Sequence, residues 1–167
     1  EGMVFVNEGQ TLTIDPGTVI KGKSGQGENA SALVVARGAK VMAEGTASLP
    51  IIMTSESDQT RRALDGTLEN QGNLPATVSG LWGGLIVLGY ADITASTETR
   101  AIEGIPTSET RGLYGGSDDS DNSGVYQYIS IRHGGTDIGA GNEINGFTLA
   151  GVGNGTAINH IEIIANA

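Results

Sequence analysis

The chain repeats itself. Val6-Asn7-Glu8-Gly9-Gln10-Thr11-Leu12-Thr13-Ile14-Asp15-Pro16-Gly17-Thr18 aligns with Val35-Ala36-Arg37-Gly38-Ala39-Lys40-Val41-Met42-Ala43-Glu44-Gly45-Thr46. At an offset of 29 residues Val6 answers Val35, Gly9 answers Gly38, Leu12 answers Val41, Ile14 answers Ala43 and Asp15 answers Glu44. Gly17-Thr18 then answers Gly45-Thr46 if Pro16 is a one-residue insertion. Each copy reads as a short strand, a glycine corner, a second strand with alternating apolar positions and a Gly-Thr turn. A second echo, at an offset of 32, matches Tyr128-Ile129-Ser130-Ile131-Arg132 to His160-Ile161-Glu162-Ile163-Ile164. Repetition at such periods marks a solenoid, in which a unit buries its apolar face against its neighbours.

The units are strands. Val and Ile together number 26 against 11 Leu, with 16 Thr, and β-branched side chains suit a pleated surface better than a helix. Trp82-Gly83-Gly84-Leu85-Ile86-Val87-Leu88-Gly89 is an apolar run too short for an ordinary helix and bounded by glycines. Only Ser57 to Leu68 offers a turn or two of helix, and Gly66 weakens it. Strands joined by single corners cannot form hairpins, so they coil upward and pair in parallel from one rung to the next. The expectation is an all-β parallel β-helix forming one domain over 1–167, with inserted loops at about 54–80 and 92–124. A β-sandwich is the alternative. It needs Asn-Gly or Asp-Gly hairpin turns between strands, and of Asp65-Gly66, Asn145-Gly146 and Asn154-Gly155 only the last two lie near credible strands.

Three stretches carry a family resemblance: Gly9-Gln10-Thr11-Leu12-Thr13-Ile14-Asp15-Pro16-Gly17-Thr18-Val19-Ile20-Lys21-Gly22, Gly80-Leu81-Trp82-Gly83-Gly84-Leu85-Ile86-Val87-Leu88-Gly89 and Ile131-Arg132-His133-Gly134-Gly135. The chain resembles the extracellular right-handed parallel β-helix proteins of Gram-negative bacteria, which are secreted or surface-attached. The resemblance spans nearly all of the chain. It implies a right-handed coil and an extracellular or cell-surface location, and its motifs describe the scaffold without transferring any catalytic residue. Family members are usually longer, which implies a fragment or a minimal unit.

Charge narrows the function classes. Nineteen acids against nine bases give a net charge of −10, unsuited to nucleic acid or to anionic membrane surfaces. No run approaches the apolar length of a membrane span. The absence of cysteine removes disulfides and thiolate metal sites. No basic-then-apolar leader precedes Met3, as expected of a mature chain.

Several motifs suggest chemistry. Gly17-Thr18-Val19-Ile20-Lys21-Gly22-Lys23-Ser24 has the spacing of a phosphate-binding loop. Such a loop needs a helix at once after it, yet Gly25 and Gly27 fall in the first helical turn, and Val19 and Ile20 read as a rung strand. Asp119-Ser120-Asp121-Asn122-Ser123-Gly124 places oxygen donors at positions 1, 3 and 5 and Gly at position 6 of a calcium loop, and Asp118 adds a carboxylate. Ser130 stands where the closing Glu belongs. Asp118, Asp119, Asp121 and Ser123 are therefore the candidate calcium ligands, and a solvated acidic turn is the alternative. His133 and His160 lie in different rungs, His133 inward or at a corner and His160 outward beside Tyr128, too few for zinc. Gln26 breaks a Gly-x-Ser-x-Gly elbow. Arg132, Asp137 and Glu162 are the residues a polysaccharide-lyase-like site would draw on. Thr11-Leu12-Thr13 lacks a Thr-x-Thr counterpart on the next rung, which speaks against ice binding.

With Ile129, Ile131, Ile161 and Ile163 taken as inward, parity turns Tyr126, Tyr128, Ser130 and Arg132 outward above His160 and Glu162. Tyr126, Tyr128, Arg132, His160 and Glu162 form a candidate contact face for a glycan or another surface protein. Leu85-Ile86-Val87-Leu88 is apolar on both faces and needs a cover on its outer side, from an inserted loop or a neighbouring subunit. Neither Met3-Val4-Phe5-Val6 nor Ile161-Glu162-Ile163-Ile164 has a capping segment beside it, and uncapped rungs stack on others. The expectation is a non-catalytic structural or adhesive module that self-associates head to tail. A carbohydrate-active domain is the alternative.

Overall fold

Alternating β-branched residues lay the chain out in short strands, and glycine corners turn it through coils. The computed structural model describes residues 2–139 and 142–167. The first coil runs through β1 (Met3–Val6), β2 (Thr11–Ile14) and β3 (Val19–Gly22), the second through β4 (Ala32–Val35), β5 (Lys40–Glu44) and β6 (Ile51–Ser55). An excursion carrying the hairpin β7 (Arg61–Arg62) and β8 (Leu68–Asn70) follows. The third coil opens with β9 (Gly84–Leu88), departs into a second excursion with β10 (Arg100–Ala101) and β11 (Leu113–Tyr114), and closes with the long β12 (Gly124–Arg132). A further hairpin, β13 (Asp137–Gly139) with β14 (Asn142–Glu143), leads to the last coil, β15 (Phe147–Ala150) and β16 (Ala157–Ile164). Helix among the described residues is limited to single 3-10 turns at Gly27–Asn29 and Thr110–Gly112.

Coil pairs with coil in parallel throughout. One wall is β1-β4-β9-β15. A second contains β2, β5 and the first halves of β12 and β16; a third contains β3, β6 and their second halves. Antiparallel pairs occur only in the three hairpins of the connections. The fold is a parallel β-helix, and the sandwich alternative falls.

The repeats in the sequence are the rung registers. Val6 pairs with Val35, Leu12 with Val41 and Ile14 with Ala43, while Ile129 pairs with Ile161 and Ile131 with Ile163. The Gly17-Thr18 equivalence does not hold. Val19 pairs with Ile52, and Gly17 N–H donates to the Leu49 carbonyl. The extra residues therefore lie in the second copy, between Glu44 and Ile51, and not at Pro16.

Inward columns run unbroken through all four coils: Val4-Leu33-Leu85-Phe147, Val6-Val35-Val87-Leu149, Ile14-Ala43-Tyr126-Ile158 and Ile20-Met53-Ile131-Ile163. Their middle members are fully buried. The outer face of β9 is apolar too. Ile86 and Leu88 pack there with Ile105 and Ile144, and Ile102 and Tyr114 of the second excursion lie over them. An inserted loop is thus the cover that this strand requires.

Three further expectations are corrected. Thr54 and Ser55 belong to β6 and Gly124 to β12, so the excursions span 56–83 and 89–123. Ser57 to Leu68 forms turns and hairpin strands, because the Asp65-Gly66 turn, with Asp65 Oδ1 accepting from Thr67 N–H, favours a hairpin over a helix. The phosphate-loop spacing is strand β3, and at Gly22 an added Cβ would run into the buried Trp82 ring.

Candidate interaction surfaces

In β12 and β16 the corner between the second and third walls is a single residue in the left-handed region: Tyr128 at φ +49° and His160 at φ +52°. Such a residue reverses the alternation of facing. Before Tyr128 the even positions point inward, and after it the odd ones do. Tyr126 is consequently buried completely, in the column between Ala43 and Ile158, with its hydroxyl donating to the Ser123 carbonyl at 3.0 Å. This corrects its expected outward position. Burial, with the nearby Asp121 charge, pushes the Tyr126 phenol well above its ordinary range.

The other four residues of the expected face do come together on the outside. The Tyr128 and His160 rings stack at 4.2 Å between centroids and 15° between planes. Beside them Ser130 Oγ donates to Glu162 Oε2 at 2.5 Å and accepts from Arg132 Nε at 2.8 Å. Arg132 Nη2 stands 3.8 Å from Glu162 Oε2, and its Nη1 donates to the Gln71 carbonyl of the first excursion. Its own carbonyl accepts from Trp82 Nε1 at 2.8 Å. Asp137, the third residue of the lyase-like set, sits in the β13–β14 hairpin opposite Glu143. His133 is buried at a corner, φ +58°, with Nδ1 donating to the Val78 carbonyl at 2.6 Å.

The expected calcium ligands face local partners. Asp118 Oδ1 accepts from Ser120 N–H and Oγ, Asp119 Oδ1 from Asp92 N–H, and the buried Asp121 Oδ2 from Ser123 Oγ at 3.1 Å. Among the described residues no three His, Asp or Glu side chains are grouped so as to hold a metal. The segment also ties adjacent coils together, since Asn154 N–H donates to the Asp119 carbonyl and Ser123 N–H to Thr156 Oγ1.

Sequence reasoning missed two sites. The first is Asp58, 1 % exposed at the root of the first excursion. Burial opposes its ionisation, but donors outweigh it: Thr60 Oγ1 at 2.8 Å, Thr54 Oγ1 at 2.9 Å, and the N–H groups of Thr60 and Asn73. They hold the carboxyl below the ordinary carboxylate value. The Thr-x-x-x-Asp-x-Thr spacing is a weak signal for such a cluster. The second is a hollow of about 250 Å³ at the first-coil end, lined by Val4, Leu12, Ile20, Leu33 and Trp82 among others. At this end Val4 is 54 % exposed; at the other, Leu149 is 45 %, Ile158 37 % and Ile163 53 %. Every one of these side chains belongs to an inward column.

The fold and its corners define a parallel β-helix solenoid with two excursions and an open core at each end. The chain belongs to the pectate-lyase-like β-helix domain family, whose family model matches residues 1–167. No curated protein and no solved structure is a significant match to it.

Proposed function

We propose that the protein is a non-catalytic structural or adhesive β-helix module of the extracellular or cell-surface space, working through its surfaces and assembling end to end. The observation that carries this reading is the exposure of inward apolar residues at both ends of the coil: Val4 at one, Leu149, Ile158 and Ile163 at the other. Scattered apolar residues on a surface need no explanation, but residues continuing a core column do, because only another rung buries them. The polar groups best placed for chemistry support it as well. Asp58, Asp121 and His133 are buried and engaged in hydrogen bonds that hold loops to the coil, an arrangement suited to architecture. Sedimentation of the 167-residue chain over a wide concentration range tests the proposal. Growth of the particle with concentration is expected, and a compact monomer throughout would refute it.

A carbohydrate-active reading has one specific observation in its favour. Tyr128, His160, Ser130, Arg132 and Glu162 make an aromatic and charged face on the outside of a pectate-lyase-like coil. Incubation with acidic and neutral polysaccharides, following new reducing ends and unsaturated products, decides between the two. Turnover abolished by Glu162→Gln would replace the structural reading with the enzymatic one.

A further inference from the structure

The register of the coil says how two ends would meet. Each inward column begins with a first-coil residue and ends with a last-coil residue, and the pairings between them are unbroken. Continuing every column by one step sets Val4 on Phe147, Val6 on Leu149, Ile14 on Ile158 and Ile20 on Ile163. All four contacts are apolar on apolar. The same step lays β1 along β15, and β2 and β3 along the two halves of β16, as a parallel ladder that satisfies the edge backbone groups on both sides. A head-to-head joint would oppose strands in antiparallel sense and match a column end with itself. The ends also differ in shape in a complementary way. The first coil is hollowed beside Val4, Leu12 and Ile20, whereas the last exposes Leu149, Ile158 and Ile163.

We propose that a second copy of this chain docks its first coil on the last coil of its neighbour in this continuous register, so that the joint is one more rung step of the same β-helix. Such a contact is heterologous and does not close by necessity, so it propagates. This inference rests on the end-to-end reading above and adds to it the polarity of the joint and the residues that meet.

Disulfide trapping tests it cleanly, because the chain has no cysteine of its own. Neighbouring strands stand about 4.8 Å apart, so in-register Cα atoms fall within disulfide reach. Ile20→Cys and Ile163→Cys chains, prepared separately and mixed under mild oxidant, should form the mixed dimer. Neither alone should form a homodimer, and a chain carrying both should give a ladder of covalent oligomers. Val4→Cys with Phe147→Cys is the second pair, at a different wall, should Ile20→Cys fold poorly. Homodimers of Ile163→Cys alone, or oligomers that neither pair traps, would overturn this register while leaving end-to-end assembly standing. A wild-type chain that is monomeric at every concentration would overturn both, and would make a rung of a longer polypeptide the occupant of the open ends.

Discussion

Tyr128 and His160, 32 residues apart, stack ring on ring at 4.2 Å, and both hold a left-handed backbone, φ +49° and +52°. The same offset joins His133 and Ala165, at φ +58° and +52°. Stacked corners thus share one uncommon conformation on successive coils, although none of the four is glycine. A left-handed residue is tolerated where the surroundings over-determine it. Here ladder bonds precede and follow each corner.

The corner makes a substitution test. Tyr128→Gly loses the ring contact but fits the backbone, whereas Tyr128→Val loses the ring and forces a β-branched residue to positive φ. A left-handed non-glycine residue costs roughly 1–2 kcal/mol, so Val should be the less stable variant by about that margin in urea unfolding. Equal stabilities would mean that the stack, and not the backbone, dominates this corner.

Asp58 gives a pH dependence. Its folded-state pKa lies below the ordinary 3.8, so the folded state favours the carboxylate more than the unfolded chain does. The stability it contributes is fully present above that ordinary value and is lost as pH falls below it, through the depressed folded value. Asp58→Asn should flatten this part of the acid limb and lower stability at pH 7 by about 1–3 kcal/mol, the penalty for disturbing a buried network. An unchanged acid limb in the variant would assign the pH dependence to other carboxylates.

Gly124 sits at φ +112°, and an added Cβ would meet the backbone of Val41 on the adjacent coil. Backbone cannot swing aside as a side chain can. Gly124→Ala should therefore cost more than about 2 kcal/mol, from the positive φ and the clash together. By contrast, Gly9→Ala has open space and pays only for its φ of +76°. Denaturant midpoints of the two variants compare them directly; similar losses would show that the Val41 contact relaxes.

Asp121 separates a structural carboxylate from a calcium ligand. Its Oδ2 is occupied by the Ser123 hydroxyl, and the residue is 7 % exposed. Asp121→Ala should lower the melting temperature equally in calcium and in chelator, by the few degrees that about 1–3 kcal/mol represents for a chain of this size. A wild-type melt raised by calcium, with the rise lost in the variant, would assign Asp121 to a bound cation.

Much of the coil was legible in the residues themselves. A parallel ladder stacks like on like, so Val6 over Val35 and Ile129 over Ile161 appear in the sequence as offsets before any coordinates are known. The length of a corner is less legible, since corner residues face solvent and vary freely; this is why Gly17-Thr18 was matched to the wrong turn. Facing beyond a corner is worse still. Parity counting carries through a strand, but one left-handed residue reverses it, and at Tyr128 no glycine announces the reversal. Tyr126 was misplaced for that reason, while Tyr128, Arg132, His160 and Glu162 were grouped correctly because they share the exposed face at and beyond the corners.

The sequence alone determined the strand composition, the period and the inward residues of most coils, because these follow from local alternation and from burial repeated at fixed spacing. Tertiary structure decided which charges are buried and what they do. Asp58 is a carboxylate on a polar stretch until Thr54, Thr60 and the Asn73 amide converge on it from separate turns of chain. Asp118, Asp119 and Asp121 read as one ligand set until folding turns each toward a different donor. Hydrogen-bond partners are chosen by distance in space, and residues brought together by coiling leave no spacing in the chain by which to find them.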